Sequence, residues 1–301
     1  MESGVGRLVS FRTKSNFEII GILFKSSQGL TNNTIVIHIH GNFGNFYQNK
    51  FLWTMSKLYT ANNIDFLSIN LSSHDGLAEG YYGKDMKYIG GAVADYNSSQ
   101  DDINAAIEYV LSLNYSNIVL QGHSLGCDKI IQYTLENQAK YPLILLSPVD
   151  SYKVQSNWIE PETVEEQIKR LRNAPQFGTE SGWGKADFEW LAKEEYGAEG
   201  DTEDWVYQIP VTRDALLSIL EGAAFKYLNI KDATPFFITN PTIAFIGKRD
   251  GLQMHDTHVW ISYLQDHFEN LTVIDNLDAD HDIIGVEDDL CIKIVEWISM
   301  Q

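Results

Sequence analysis

The chain alternates two kinds of apolar pattern. Residues 32–41, NNTIVIHIHG, are apolar or β-branched at nearly every position, and so are residues 64–73, IDFLSINLSS. That density predicts strands buried on both faces, as in a parallel sheet. The stretch 17–25, FEIIGILFK, predicts a strand of another kind, antiparallel and near a sheet edge. Between the buried runs the period lengthens to that of a helix. Phe51, Met55, Leu58 and Tyr59 form one stripe over 51–61. Ile103, Ile107, Val110 and Leu111 form another in the helix opened by SSQDDINAAIEYVLSLN, whose first turn carries Asp101 and Asp102, where the helix dipole favours negative charge. Further strands are predicted at 116–121, 141–150, 241–250 and 271–276. Helices are predicted over CDKIIQYTLENQ, MHDTHVWISYLQDHF and DDLCIKIVEWISM, the last with Leu290, Ile294 and Ile298 on one face. Strand alternating with helix means βαβ units and a largely parallel sheet, so the expected class is α/β. The glycine- and tyrosine-rich stretch 74–99 reads as a long loop.

From 151 to 235 the alternation breaks. This segment is helical in pattern, acidic and aromatic, and holds Trp158, Trp183, Trp190 and Trp205, four of the chain's seven tryptophans. It is far longer than an ordinary strand–helix connection. The expected organisation is a core formed by 1–150 and 236–301, with 151–235 inserted as a helical lid; a separate domain unrelated to any site is the alternative.

Composition narrows the partners. A net charge of -19 repels nucleic acid and anionic membrane surfaces, so neither is expected. The segment MESGVGRLVSFRTK has no apolar signal core, and no apolar run approaches the ~20 residues of a membrane span. Cys127 and Cys291 allow one bridge at most; in a chain this large, reduced and buried thiols are expected, which fits the cytoplasm. No phosphate-binding loop, dinucleotide glycine fingerprint or zinc-ligand spacing occurs, so no cofactor or metal is expected. Oligomeric state leaves no mark on the sequence.

The chemistry gathers around IVLQGHSLGCDK, residues 118–129. An apolar strand stops at Gly122, Ser124 follows two residues on, Gly126 closes the turn, and a helix begins. Gly-x-Ser-x-Gly alone matches about one chain in ten by chance. At a strand-to-helix junction it is the turn that lifts a serine hydroxyl clear of a sheet. A serine needs a base to become a nucleophile. Of the eight histidines, His281 follows the last predicted strand in the loop NLDADHDIIG, just before the final helix. The base needs an orienting acid. Asp250 ends the strand TIAFIGKRD; Asp150, at the end of the strand after the serine, is its rival, and Asp278, Asp280 and Asp282 beside His281 are expected to face solvent. Developing negative charge needs preorganised donors. The N–H of Leu125 is one candidate, and Asn42, with Phe43 next, is the candidate in the loop His40-Gly41-Asn42-Phe43-Gly44-Asn45. His255 and His258, three apart on a predicted helix, read as a solvated face rather than a ligand pair.

His-Gly-Asn at 40–42, Gly-His-Ser-Leu-Gly at 122–126, Asp250 and His281, in that order, resemble the motif positions of the α/β-hydrolases over essentially the whole chain. The stretches GHSLGCDKIIQY and ILLSPVD carry a further likeness to fungal siderophore esterases. The resemblance implies an eight-stranded, mostly parallel sheet and serine-hydrolase chemistry: Ser124 as nucleophile, His281 as base, Asp250 as its orienting acid. The expected substrate is a small or medium-sized ester, with a thioester or amide next, and Tyr81, Tyr82, Trp158 and Trp183 are expected to shape its pocket. Acyl transfer to an acceptor other than water, and a receptor that binds without turnover, are the remaining alternatives on this fold.

Overall fold

The structure, a computed structural model, describes residues 6–26, 33–151, 169, 172, 212–222, 236–253 and 255–301. Its strands are β1 (Gly6–Arg12), β2 (Glu18–Phe24), β3 (Thr34–Ile39), β4 (Asp65–Ile69), β5 (Ala78–Tyr82), β6 (Asp85–Ile89), β7 (Asn117–His123), β8 (Leu143–Leu146), β9 (Thr242–Phe245) and β10 (Leu271–Ile274). Its helices are α1 (Lys50–Ala61), α2 (Ser98–Ser112), α3 (Leu125–Asn137), α4 (Arg213–Gly222), α5 (Thr257–His267) and α6 (Glu287–Ile298). Eight strands form one sheet in the order β1-β2-β4-β3-β7-β8-β9-β10. β1, β2 and β4 pair antiparallel; every pairing from β4 through β3 to β10 is parallel.

The buried runs became the central strands for the reason their pattern gave. All six residues of β3 are buried, and they alternate between two cores. Ile35, Ile37 and Ile39 join Ile103 and Ile107 of α2, Ile130 and Ile131 of α3, and Trp260 of α5. Val36 joins Phe51, Met55 and Tyr59 of α1 and Leu290, Ile294 and Ile298 of α6 on the opposite face. Helices therefore cover both faces, and the parallel strands point their carboxyl ends to one rim, the usual place for a ligand site in an α/β sheet.

The structure departs from the sequence reading in several places. β1 was not anticipated; its side chains are mostly exposed, as befits an edge strand. The stretch 74–99 is not all loop, because β5 and β6 pair there as an antiparallel hairpin. Leu111, assigned to the apolar stripe of α2, points outward at 49% exposure. Asp102, placed in the first turn of that helix for its dipole, is buried and accepts from the N–H and Oγ–H of Ser72 at 2.8 and 2.7 Å.

The expected insertion over 151–235 falls largely outside the described residues. The helix α4 lies within it and returns to the core through Thr212, whose N–H donates to Ala92 O at 2.7 Å, and Ser218, whose Oγ accepts from Tyr96 N–H at 2.8 Å. Its Ile219 packs with Tyr96 and Leu125.

Trp260 is the largest fully buried side chain described, and its indole N–H donates to Pro148 O at 3.0 Å, tying α5 to the loop that follows β8. Trp260→Ala removes that bond and opens a cavity. The expected loss is about 3–5 kcal/mol of unfolding free energy, read as a lower urea midpoint at unchanged m-value.

Candidate active site

Strand β7 ends at His123 and helix α3 begins at Leu125, so the chain turns on Ser124 alone. The serine takes φ 54° and ψ −127°, a conformation that costs about 1–3 kcal/mol in a residue with a side chain. Its N–H donates to Leu146 O at 3.0 Å, and its carbonyl accepts from Cys127 N–H at 2.9 Å. The Cys127 sulfur sits 3.3 Å from Gly122 O and 3.4 Å from Leu146 O; both cysteines are free and buried. A Cβ on Gly126 would fall 2.2 Å from Ile39 O, so only glycine lets α3 press onto the end of β3. Ser124 stays half-buried while its four pentapeptide neighbours are buried.

The loop after β3 lies against this serine. A Cβ on Gly41 would stand 2.9 Å from Ser124 Cβ and 3.4 Å from its Oγ. His40, fully buried, sets the loop. Leu71 N–H donates to its Nε2 at 3.1 Å, so the ring proton is on Nδ1 and donates to Gly41 O at 2.9 Å. Burial, and next the nearby Lys129, hold the His40 pKa well below the usual histidine value. Asn42 and Phe43 follow; Phe43 has φ 51° and packs on Gly91. Asn45 secures the far side, accepting from Tyr47 and Gln48 N–H and donating to Asp75 at 2.6 Å.

His281 lies in the loop between β10 and α6. Its Nδ1 is 3.0 Å from each carboxylate oxygen of Asp250, whose side chain is fully buried at the end of the loop after β9. Asp250 Oδ1 also accepts from Leu252 N–H at 3.0 Å. A nitrogen set between two carboxylate oxygens is the ring's donor, which leaves Nε2 to accept. The His281 loop is joined to the β9 loop by Arg249 N–H donating to Ala279 O at 2.9 Å. Asp278, largely exposed, pairs with Arg249, and Asp280 Oδ1 accepts from Ile284 N–H. The His281 carbonyl accepts from His123 Nε2 at 2.9 Å and Ser147 Oγ at 3.0 Å. The rings of His123 and His281 have centroids 5.0 Å apart. Burial, and next the neighbouring His281, push the His123 pKa down to about 3.

The rival acid is engaged elsewhere. Asp150 Oδ2 bonds His255 Nε2 at 2.8 Å, and the Asp150 side chain is fully buried. His255 is thus not part of a solvated face: it precedes α5, turns inward and stacks on Trp260 with ring planes 10° apart. His258 is exposed. The two tyrosines expected near a substrate sit on the β5–β6 hairpin. Tyr82 packs on Phe17 and lies under Lys87 Nζ, and Tyr81 is 50% exposed; their described contacts tie neither to Ser124 or His281. Trp158 and Trp183 lie outside the described residues. The sequence reading missed Ser147 and the bonds made by His40 and His123, because each acts on a main-chain atom. Only the placement of His40 and His123 beside the two motif glycines marked them.

Among the described residues, no group of three or more His, Cys, Asp or Glu is arranged to hold a metal ion, and no helix is long and apolar enough to cross a membrane.

The mostly parallel eight-stranded sheet, with helices on both faces and a serine turn at the end of a central strand, is the α/β-hydrolase fold. No family profile and no curated protein sequence matches the chain. Solved structures do. Est1E from Butyrivibrio proteoclasticus with ferulic acid bound is similar at a TM-score of 0.64 and 13% identity, covering 97% of this chain and 98% of that one. The Pyrococcus furiosus esterase Pf2001 is similar at 0.58 and 15%, covering 99% and 91%. Mouse alpha/beta hydrolase domain-containing protein 10 is similar at 0.63 and 14%, covering 98% and 99%.

The buried histidines give the fold a pH dependence. His38, His40 and His123 all have lowered pKa values, with burial the leading cause in each. Below about pH 6.5 the unfolded chain binds protons that the folded chain refuses, so stability falls as the solution is acidified, and for His123 it goes on falling to about pH 3. Asp102, pushed up by burial to about 7, acts in the opposite sense between about pH 4 and 7 and offsets only part of this. The urea midpoint is expected to be lower at pH 5 than at pH 7.5, and the difference to shrink in His123→Gln.

Proposed function

We propose that the protein is a serine hydrolase that cleaves a carboxylic ester of a small or medium-sized molecule through an acyl-enzyme. The observation that carries this reading is the His281 imidazole, its Nδ1 3.0 Å from both oxygens of buried Asp250 and its ring in contact with His123, the residue before Ser124. The strained turn at Ser124 and the close approach of Gly41 support it.

The proposed steps are these. Ser124 Oγ attacks the ester carbonyl as His281 Nε2 takes its proton. Asp250 keeps the other ring proton on Nδ1 and stabilises the imidazolium. The N–H groups of Leu125 and Asn42, or Phe43 in place of Asn42, receive the oxyanion. Leu125 is the first residue of α3, where N–H groups have no partner within the helix. His281 returns its proton to the leaving alkoxide, and water, activated by the same base, then releases the acid. We propose the segment 151–235 as the lid, with Trp158 and Trp183 among the residues that bind the substrate. Two free, buried thiols support work in a reducing compartment such as the cytoplasm.

Intact-mass measurement after treatment with a fluorophosphonate tests the nucleophile. One adduct is expected on the parent and none on Ser124→Ala; no adduct on either protein overturns the reading. Turnover is then sought on an ester, thioester and amide panel opening with methyl ferulate, since a similar esterase structure holds ferulic acid. Ser124→Ala and His281→Ala are each expected to lower kcat at least about 10⁴-fold, and Asp250→Asn about 10⁴-fold.

A further inference from the structure

His281 is gripped at two points. Asp250 fixes its ring, and two side chains fix its main chain. The His281 carbonyl accepts from His123 Nε2 at 2.9 Å and from Ser147 Oγ at 3.0 Å. These donors come from neighbouring parallel strands, His123 from the last position of β7 and Ser147 from the residue after β8. A carbonyl oxygen can only accept, so His123 carries its proton on Nε2.

Both donors are built for this bond. The His123 ring is buried between Phe51, centroids 5.0 Å apart, and His281, also 5.0 Å, so it cannot swing away. Ser147 is fully buried with φ 48°, a left-handed conformation uncommon for a residue with a side chain. Its N–H is spent on Phe245 O at 2.9 Å, which ties the turn to β9. The hydroxyl is left to the loop beyond. The loop is anchored by buried Ala279 and Ile283 on either side of His281, but Asp278, Asp282 and Ile284 are exposed to solvent. An exposed loop is mobile by default, while a base that shuttles a proton must hold its nitrogen to within about 0.5 Å.

We propose that His123 and Ser147 are positioning residues for the acyl-transfer reaction, locking the main chain of His281 so that its imidazole keeps one orientation between Asp250 and Ser124. The inference rests on the serine-hydrolase reading above. It also gives His123 a reason to stay neutral: His281 becomes cationic during each turnover, and a second positive ring in contact with it would oppose that step. Either donor alone holds the carbonyl in part, so the two back each other up.

The test uses the phosphonylation of Ser124 by a fluorophosphonate, which needs no knowledge of the natural substrate, with the maximal rate kinact and the half-saturating concentration KI determined separately. Each rate is expressed per labelled site at end point, so unfolded protein drops out. His123→Phe keeps a ring against Phe51 and removes the donor; Ser147→Ala removes the hydroxyl without changing the strain at φ 48°. Each is expected to lower kinact roughly tenfold with KI within twofold, and the double variant to lose more than the product of the two, towards or beyond 10²-fold. His123→Gln, whose side-chain N–H can reach the place of Nε2, is expected to recover most of the loss. A role in packing alone would lower the melting temperature and leave kinact per labelled site unchanged in all of these variants, and that result overturns the proposal. Ser124→Ala runs in the same series. Labelling that persists there overturns the hydrolase reading and this inference with it. Labelling abolished there, beside wild-type kinact in the His123 and Ser147 variants, overturns this inference alone.

Discussion

A side chain on Gly126 would begin 2.2 Å from the carbonyl of Ile39, and one on Gly41 would begin 2.9 Å from Ser124 Cβ. Three stretches of main chain meet here: the end of β3, the turn after β7 and the first turn of α3. Because they touch, β7 passes into α3 through one residue, and that residue must adopt the strained angles seen at Ser124. The same contact brings the first turn of α3 beside the loop that leaves β3. Serine, helix terminus and loop are placed by the one approach, and each would move if the approach were lengthened by a methyl group.

Around this contact the rim of the sheet is polar and buried, which is costly unless every group finds a partner. The partners are mostly main-chain atoms. His40 bonds Leu71 N–H and Gly41 O; His123 and Ser147 bond His281 O; Asp250 bonds Leu252 N–H as well as His281. Beneath them Lys129, lowered to about 8 by burial, donates to Ser73 Oγ at 3.1 Å, and Asp102 holds Ser72. Such a network contributes less to net stability than to definition: a loop bonded through its own backbone has one position rather than several.

This division explains what was legible in the sequence. β3 and β4 were readable because burial on both faces leaves almost no polar position, and α1 and α6 because their stripes repeat at helical spacing. Ser124, Asp250 and His281 were singled out by residue type and by their order along alternating strands, and the structure sets Asp250 against the His281 ring. The hairpin of β5 and β6 was not, since exposed strands with burial on few positions carry no clear alternation. Leu111 was misread because one further residue along a helix turns the side chain by about 100° and out of the core. Ser147 was invisible for a deeper reason. Its acceptor is a carbonyl 134 residues away, and a carbonyl is the same in every residue.

The choice between the two candidate acids shows the same logic at the level of charge. Asp150 and Asp250 stand after the adjacent strands β8 and β9, and both side chains are fully shielded from solvent. A buried carboxylate cannot be left without donors, so each site obliges the fold to supply a partner. Asp150 receives His255, held by its parallel stack on Trp260, from a segment 105 residues further along the chain. With Asp150 so occupied, Asp250 is the carboxylate left for the imidazole of the final loop, and it takes Nδ1 of His281 between its two oxygens. Each buried aspartate thus has its own histidine, His255 for Asp150 and His281 for Asp250, and neither carboxylate is left without a donor.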